Sequence, residues 1–318
     1  MTEPEHGAQY DQLCLHRIML QDETRVRAFE SALKDAVKPG DIVLDVGTGT
    51  GILAILAARA GARKVYAVEP TGVANTARKI VEKSGLAGVV EVLNARIEDA
   101  RLAEKADVIV FEWMGALGND ENMFPVFLRA RDAWLKPGGK MIPARVTAWM
   151  APTEDAVLDN ERRFWLSKPY GADTSPVWGV FADELRYASH HVMEENLLAD
   201  PVRLWDFDGQ RGTVAEADSP RVAEMKFVCT RDGRADGLAG WFDAVLSGGV
   251  RLTNAPAAPP THWGRVVFPL EKPYEVKKGD VMEVKFMERP GGPGYCKGGY
   301  SFRLAGGDWE HHFESRDR

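Results

Sequence analysis

The chain has 318 residues, enough to bury the core of one large domain or two ordinary ones. A hydrophobic share of 45% with 27% charged residues suits a water-soluble globular protein, and the formal charge of -7 argues against nucleic acid or an anionic membrane as partner while favouring a cationic substrate. No apolar run has the length of a membrane span, Met1 to Gln9 has no signal-peptide core, and Cys14, Cys229 and Cys296 are scattered without Cys-x-x-Cys spacing; a cytoplasmic location is expected.

Residues Tyr10 to Val37 carry apolar positions at helical spacing (Leu13, Met19, Leu20, Val26, Phe29, Leu33, Val37), which predicts one or two helices ahead of the first strand. Asp41 to Gly51 then reads Asp-Ile-Val-Leu-Asp-Val-Gly-Thr-Gly-Thr-Gly: a buried strand, a tight glycine turn and the start of a helix over Ile52 to Ala60. Missing side chains at Gly47, Gly49 and Gly51 let backbone N–H groups approach a nucleoside. The next strand, Lys64 to Glu69, ends in an acid placed for ribose hydroxyls. The spacing is Gly-x-Gly-x-Gly with Asp45 just before it, not the dinucleotide Gly-x-Gly-x-x-Gly, so S-adenosylmethionine is favoured over a nicotinamide cofactor.

Strand and helix continue to alternate through Val73 to Lys83, Val89 to Asn94, Asp107 to Glu112 and Met123 to Leu135. Leu135-Lys136-Pro137-Gly138-Gly139 then turns into a strand at Lys140 to Ile142. This predicts a parallel sheet with helices on both faces. Past Pro143 the segments are short and alternating (Arg145 to Met150, Arg221 to Thr230, Gly240 to Leu246, Arg265 to Leu270, Asp280 to Met287), as in an antiparallel barrel or sandwich, with one last strand pair near the C-terminus. A helical, aromatic insert interrupts them and reads as an arm, with Phe164, Trp165, Tyr170, Trp178, Phe181 and Tyr187 among its residues. The expected organisation is N-terminal helices closing over the cofactor (1–40), a Rossmann-like cofactor domain (41–143) and a β-barrel domain (144–318) with a helical arm over about 155–200.

After the fourth strand comes Phe111-Glu112-Trp113-Met114-Gly115, with Glu121 nine residues beyond Glu112. Strands of such a sheet end at the ligand crevice, so two carboxylates are expected to face one pocket. His190-His191 and His311-His312 lack the spacing of a metal site, and no metal is assigned.

The glycine motif, the paired-glutamate loop with its Trp-Met-Gly, a distant Thr261-His262-Trp263, and Tyr10 followed by His16, Met19, Asp22 and Arg25 resemble, in order, the signatures of the protein arginine methyltransferases. The similarity spans nearly the whole chain. It implies a class I methyltransferase that uses S-adenosylmethionine, leaves S-adenosylhomocysteine and acts on a guanidino nitrogen held by Glu112 and Glu121. By the same resemblance, Arg25 would pair with the donor's carboxylate, Glu69 with its ribose, and Glu98 and the backbone of Ile97 with its adenine. His16, Met19, Asp45, the three glycines and Met123 would complete the donor site. His262 and Asp22 would form a catalytic dyad, and Tyr10, Met114 and Trp263 would join the glutamates on the acceptor. The arm would make a homodimer.

Two features depart from the family pattern: His6 and Gly7 replace a Tyr-Phe pair, and Ala116-Leu117-Gly118-Asn119-Asp120 is small and polar where the family tends to be aromatic. The loop tilts the expected acceptor slightly towards free L-arginine or a small guanidino compound, with Asp120 or Asn119 available to its ammonium or carboxylate. Peptidyl arginine is the alternative. A catalytically silent donor-binding scaffold and a dehydrogenase are the readings from other classes.

Overall fold

A computed structural model of the chain describes residues 13–292, 295–304 and 307–315. Tyr10, His6 and Gly7 lie outside the described residues. Two helices open the described chain, α1 (Leu13–Gln21) and α2 (Glu23–Ala36). Asp22 ends the first and caps the second, its Oδ1 accepting from the backbone N–H of Arg25 at 2.9 Å.

The parallel sheet is built from β1 (Ile42–Val46), β2 (Lys64–Glu69), β3 (Val90–Asn94), β4 (Ala106–Val110) and β5 (Leu135–Ile142), in spatial order β3-β2-β1-β4-β5. The chain winds outward from β1 to β3, then crosses to β4 on the other side. Strand order therefore reverses between β1 and β4, which opens a crevice beyond their C-terminal ends. All five residues of β1 are buried, as near-continuous apolar strands covered on both faces must be. Helices α3 (Ile52–Arg59), α4 (Val73–Lys83) and α5 (Phe124–Trp134) supply the cover; α4 buries Val73, Ala74, Ala77 and Val81 along one stripe. The sequence predicts a turn over Leu135 to Gly139, whereas β5 starts at Leu135 and shifts register between its pairings with Ala106 and Val108.

Beyond Ile142 the sheets turn antiparallel. One contains β6 (Arg145–Thr153), β7 (Val202–Asp208), β9 (Gly233–Val245), β10 (Arg251–Thr253) and β11 (Val266–Val276); the other contains β8 (Arg221–Val228), β12 (Val281–Gly292), β13 (Tyr295–Leu304) and β14 (Gly307–Ser315). A short helix, α8 (Val214–Ala217), leads into β8. Buried residues from the parallel sheet and from both antiparallel sheets form one contiguous core, from Phe29 through Phe127 and Phe242 to Tyr300.

The arm consists of α6 (Ala156–Leu166) and α7 (Ser175–Ala182). Asp155 caps α6 and also receives His191 Nε2 at 2.9 Å, and Trp178 bonds the Glu271 carbonyl of β11. Phe164, Tyr170 and Val180 are exposed. Trp178, by contrast, is buried, stacked with Phe181. The helical arm also stops earlier than the expected residue 200: the chain rejoins the barrel at Arg186, which bridges to Val267, and again at Leu197 and Ala199. Leu185, Val192, Leu198 and Ala199 are apolar and buried there, which draws the segment inward. No helix among the described residues is long and apolar enough to cross a membrane.

Candidate active site

The crevice at the strand reversal holds a cavity of about 440 Å³. One wall is the glycine turn. Gly47, Gly49 and Gly51 all have positive φ (65°, 55° and 89°), a conformation that a side chain would strain. A Cβ at Gly49 would also lie 2.8 Å from His16 Cε1, because His16 of α1 is buried directly over the turn. Gly49 N donates to Glu69 Oε2 and Thr71 N to Glu69 Oε1, both at 2.9 Å, so the carboxylate at the end of β2 is fixed in place. Each of its oxygens keeps a second lone pair for a hydroxyl. Ile97, buried, and Glu98, exposed, line the same side.

Asp45 and Gly51 stand behind this wall rather than on it. Asp45 Oδ2 accepts from Thr48 Oγ1 at 2.5 Å, and complete burial pushes its carboxyl up to about 7 against the pull of that bond. It shapes the turn from below. Gly51 begins α3.

The opposite wall comes from the loop after β4. Phe111 and Trp113 are buried, the latter packed on Phe124 and Phe207, so Glu112 between them is turned into the cavity. Arg25 of α2 lies on Glu112: its Nε and one terminal nitrogen donate to Oε2 at 3.0 and 2.8 Å, and its other terminal nitrogen reaches the Met19 carbonyl. Glu112 Oε1 accepts from Met114 N at 3.0 Å. Glu121, half-buried, lines the same cavity with Met19, Met114 and Met123.

The third side is the Thr-His-Trp turn. Asp22 Oδ2 accepts from both His262 N and His262 Nδ1 at 2.8 Å. Burial raises Asp22, but the hydrogen bonds from His262 and the backbone outweigh it and hold the carboxyl below its usual range. Asp22 is therefore off the cavity wall while His262 is on it. Trp263 donates Nε1 to the Met114 carbonyl at 2.8 Å, which pins this turn to the glutamate loop.

A model of the arginine methyltransferase oligomerization subdomain matches residues 144–291, and one of ribosomal protein L11 methyltransferase (PrmA) matches residues 24–115. Protein arginine N-methyltransferase PRMT10 of Arabidopsis thaliana is 35% identical over 305 residues, covering 86% of this chain and 80% of the relative. The chain belongs to the protein arginine N-methyltransferase family.

Other members agree. Protein arginine N-methyltransferase 6 of Xenopus tropicalis is 32% identical, over 86% of this chain and 84% of its own. Among solved structures, Trypanosoma brucei PRMT1, an enzyme-prozyme heterotetrameric complex with AdoHcy, superposes with a TM-score of 0.89 at 27% identity, covering 97% of this chain and 100% of that one. Arabidopsis PRMT10 superposes at 0.82 and 30% identity, covering 98% and 99%. This methyltransferase is thus an enzyme of the S-adenosylmethionine-dependent class, acting on arginine. The dehydrogenase reading is excluded. The residues of the cavity fit such a donor: a glycine cradle that any Cβ would disturb, the buried carboxylate of Glu69 fixed beside it, and the buried guanidinium of Arg25 on the wall. Among the described residues no cluster of three or more His, Cys, Asp or Glu is placed to hold a metal ion.

The polar residues of the loop between the two glutamates are engaged by nearby backbone N–H groups. Asn119 is buried off the cavity, with Oδ1 holding Phe124 N at 3.0 Å, and Asp120 Oδ1 holds Leu117 N at 2.9 Å while its carboxylate packs on Gly115. Burial, aided by the negative charge of Glu288, pushes Asp120 up to about 6. These polar groups brace the loop, although Asp120 also forms part of the cavity wall. They give no support to a pocket built for the ammonium and carboxylate of a free amino acid.

One bracing residue is invisible in the sequence pattern. Asn254, buried just after β10, accepts from Phe242 N at 2.8 Å and donates Nδ2 to the carbonyls of Ala116 (2.8 Å) and Gly264 (2.6 Å). It joins the glutamate loop to the Thr-His-Trp turn. A single Asn ahead of Ala-Pro reads as an ordinary turn residue.

Proposed function

We propose that the protein methylates arginine side chains within proteins or peptides. Two observations support peptidyl arginine over free arginine: the polar loop residues are used to hold the loop, and relatives 35% and 32% identical to the chain are protein arginine N-methyltransferases. The retention of Arg25, Glu112, Glu121 and His262 on one cavity counts against a silent scaffold.

A guanidinium has a pKa above about 12 and delocalises its lone pairs, so it is a weak nucleophile. Glu112 and Glu121 bind it and draw its positive charge towards the nitrogens they hold. In the geometry seen here both lone pairs of Glu112 Oε2 are taken by Arg25, so the substrate N–H goes to Oε1, which has one lone pair left after Met114 N. When bound, S-adenosylmethionine supplies an electrophilic methyl group at its sulfonium centre. Arg25 meets the donor's carboxylate, Glu69 its ribose, and Ile97 N with Glu98 its adenine. Met19, Met114 and Met123 shape the transfer space, with Asp120 and the Trp263 ring bounding the acceptor. Asp22 accepts from His262 Nδ1, which leaves Nε2 as the lone-pair nitrogen that takes the released proton.

The exposed apolar residues of the arm (Phe164, Val177, Val180) and of α1 (Leu13, Ile18, Leu20) support a homodimer through the arm, and the scattered cysteines support a cytoplasmic setting. The substrate assignment is tested by comparing kcat/KM for an arginine-glycine-rich peptide and for free L-arginine. A peptide value well above that of the amino acid is expected; the reverse order would return the acceptor to a small molecule.

A further inference from the structure

From sequence, Tyr187 counts among the arm aromatics expected to pack in a dimer. Its surroundings place it elsewhere. It packs against the main core rather than the arm's own cluster, and it lines the cavity together with Ala188, His262 and Trp263.

The backbone on both sides of Tyr187 is held to the strand that follows the Thr-His-Trp turn. Arg186 N and O pair with Val267 at 2.9 and 2.8 Å, and Ser189 N donates to the Arg265 carbonyl at 3.0 Å. Ala188 adopts φ 52°, and Gly264, at φ 57°, comes so close that a Cβ there would lie 2.7 Å from Ala188 Cα. Buried Arg265 adds a further tie, donating to the His190 carbonyl at 3.5 Å and to Ala255 at 2.7 Å. The Arg186 guanidinium lies 3.3 Å over the Phe181 ring and donates to the Phe181 carbonyl, fixing the exit from α7. Tyr187 is thus delivered to one spot by a rigid strap.

That spot is on the barrel side of the cavity. The glycine turn and the ends of β2 and β3, to which the donor's nucleoside is assigned above, are on the parallel sheet. Tyr187 enters from the barrel beside Trp263 and His262.

We propose that Tyr187 is an acceptor-binding residue, its ring forming a face of the cleft on which the cationic side chain of the arginine substrate rests. The assignment rests on the arginine acceptor argued above and adds a determinant outside the family-like motifs. A phenol ring attracts a guanidinium through its negative face, and it offers flat apolar area to the aliphatic stem. Because the donor site lies on the other wall, removing the ring acts on acceptor affinity and leaves donor affinity alone.

The test is steady-state kinetics of Tyr187→Phe, Tyr187→Leu and Tyr187→Ala, each with the arginine-glycine-rich peptide and with free L-arginine, alongside calorimetric titration with S-adenosylhomocysteine and a measurement of oligomeric state. The expected result is a KM for the acceptor that rises about 5- to 30-fold in the Leu and Ala variants, as loss of a partly desolvated cation–π contact implies, and changes by less than about 2-fold in the Phe variant. Donor affinity and assembly should match wild type. Unchanged KM in Tyr187→Leu, or a loss confined to kcat or donor binding, overturns the assignment and leaves Tyr187 a packing residue. A wild type that methylates only free arginine overturns the peptide reading instead, and the Tyr187 comparison is then read on that acceptor.

Discussion

Replacing Asn254 separates the packing of the site from its chemistry, because Asn254 touches neither cavity nor solvent yet binds both motif loops. Asn254→Ala removes three hydrogen bonds, to Phe242 N, Ala116 O and Gly264 O. At about 1 kcal/mol net each, and with buried groups left partnerless at a further cost, the loss of stability is roughly 3 to 5 kcal/mol. Ala116 lies between Glu112 and Glu121, and Gly264 is two residues past His262, so the acid pair and the base also lose their mutual register. A shift on the order of 1 Å can lower kcat about 100-fold. Asn254→Asp sharpens the test. It keeps the shape and the bond from Phe242 N but turns a carboxylate oxygen towards two carbonyls. The Asp variant should therefore be less stable than the Ala variant near neutral pH, and should recover in acid as protonation restores one donor. Urea denaturation followed by far-ultraviolet circular dichroism, with kcat on an arginine peptide, measures both. An Asp variant as stable and active as wild type would refute the orientation assigned to Asn254 and its linking role.

Other consequences follow from the charges. Asp120 is raised from 3.8 to about 6, so the folded state holds its proton more tightly than the unfolded chain does. The penalty is absent below about pH 4, grows to about pH 6 and is full above it, at roughly 3 kcal/mol. Asp120→Asn should match wild-type stability near the acid end and exceed it by up to that amount at neutral pH; a pH-independent offset would contradict the buried-acid account. Glu112→Gln and Glu121→Gln should both cut kcat by about 100-fold or more, but only Glu112→Gln should also weaken S-adenosylhomocysteine binding, because it releases Arg25. Calorimetry that finds equal donor affinity in the two variants would argue against the Arg25 link. In Asp22→Asn one side chain cannot serve both His262 N–H groups and the Arg25 cap, so kcat should fall about 100-fold and its acid-limb pH dependence should move, with acceptor KM little changed. A wild-type pH profile would show that the dyad does not carry the proton.

Much of this architecture is written in short-range signals. Period-two and period-3.6 patterns and three glycines in five residues located β1, β2, β4 and the cavity, because buried parallel strands and tight turns leave few choices of residue. Glu112 and Glu121 were visible as a pair because both follow the end of one strand. What escaped depends on contacts distant in sequence. Asn254 earns its role from partners 10, 12 and 138 residues away. Tyr187 looks like an arm residue until the chain is seen to rejoin the barrel at Arg186. The polarity of Asn119 and Asp120 suggested ligand groups, whereas unsatisfied backbone N–H groups at Phe124 and Leu117 claim them.

The most direct test of the account is calorimetric titration of the protein loaded with S-adenosylhomocysteine, using an arginine-glycine-rich peptide, the same peptide with lysine for arginine, and free L-arginine. Saturable binding of the arginine peptide alone, abolished by Glu121→Gln while donor binding persists, is the predicted result. Tight binding of free arginine with none of the peptide, or equal binding of the lysine peptide, would contradict a cleft built around peptidyl arginine.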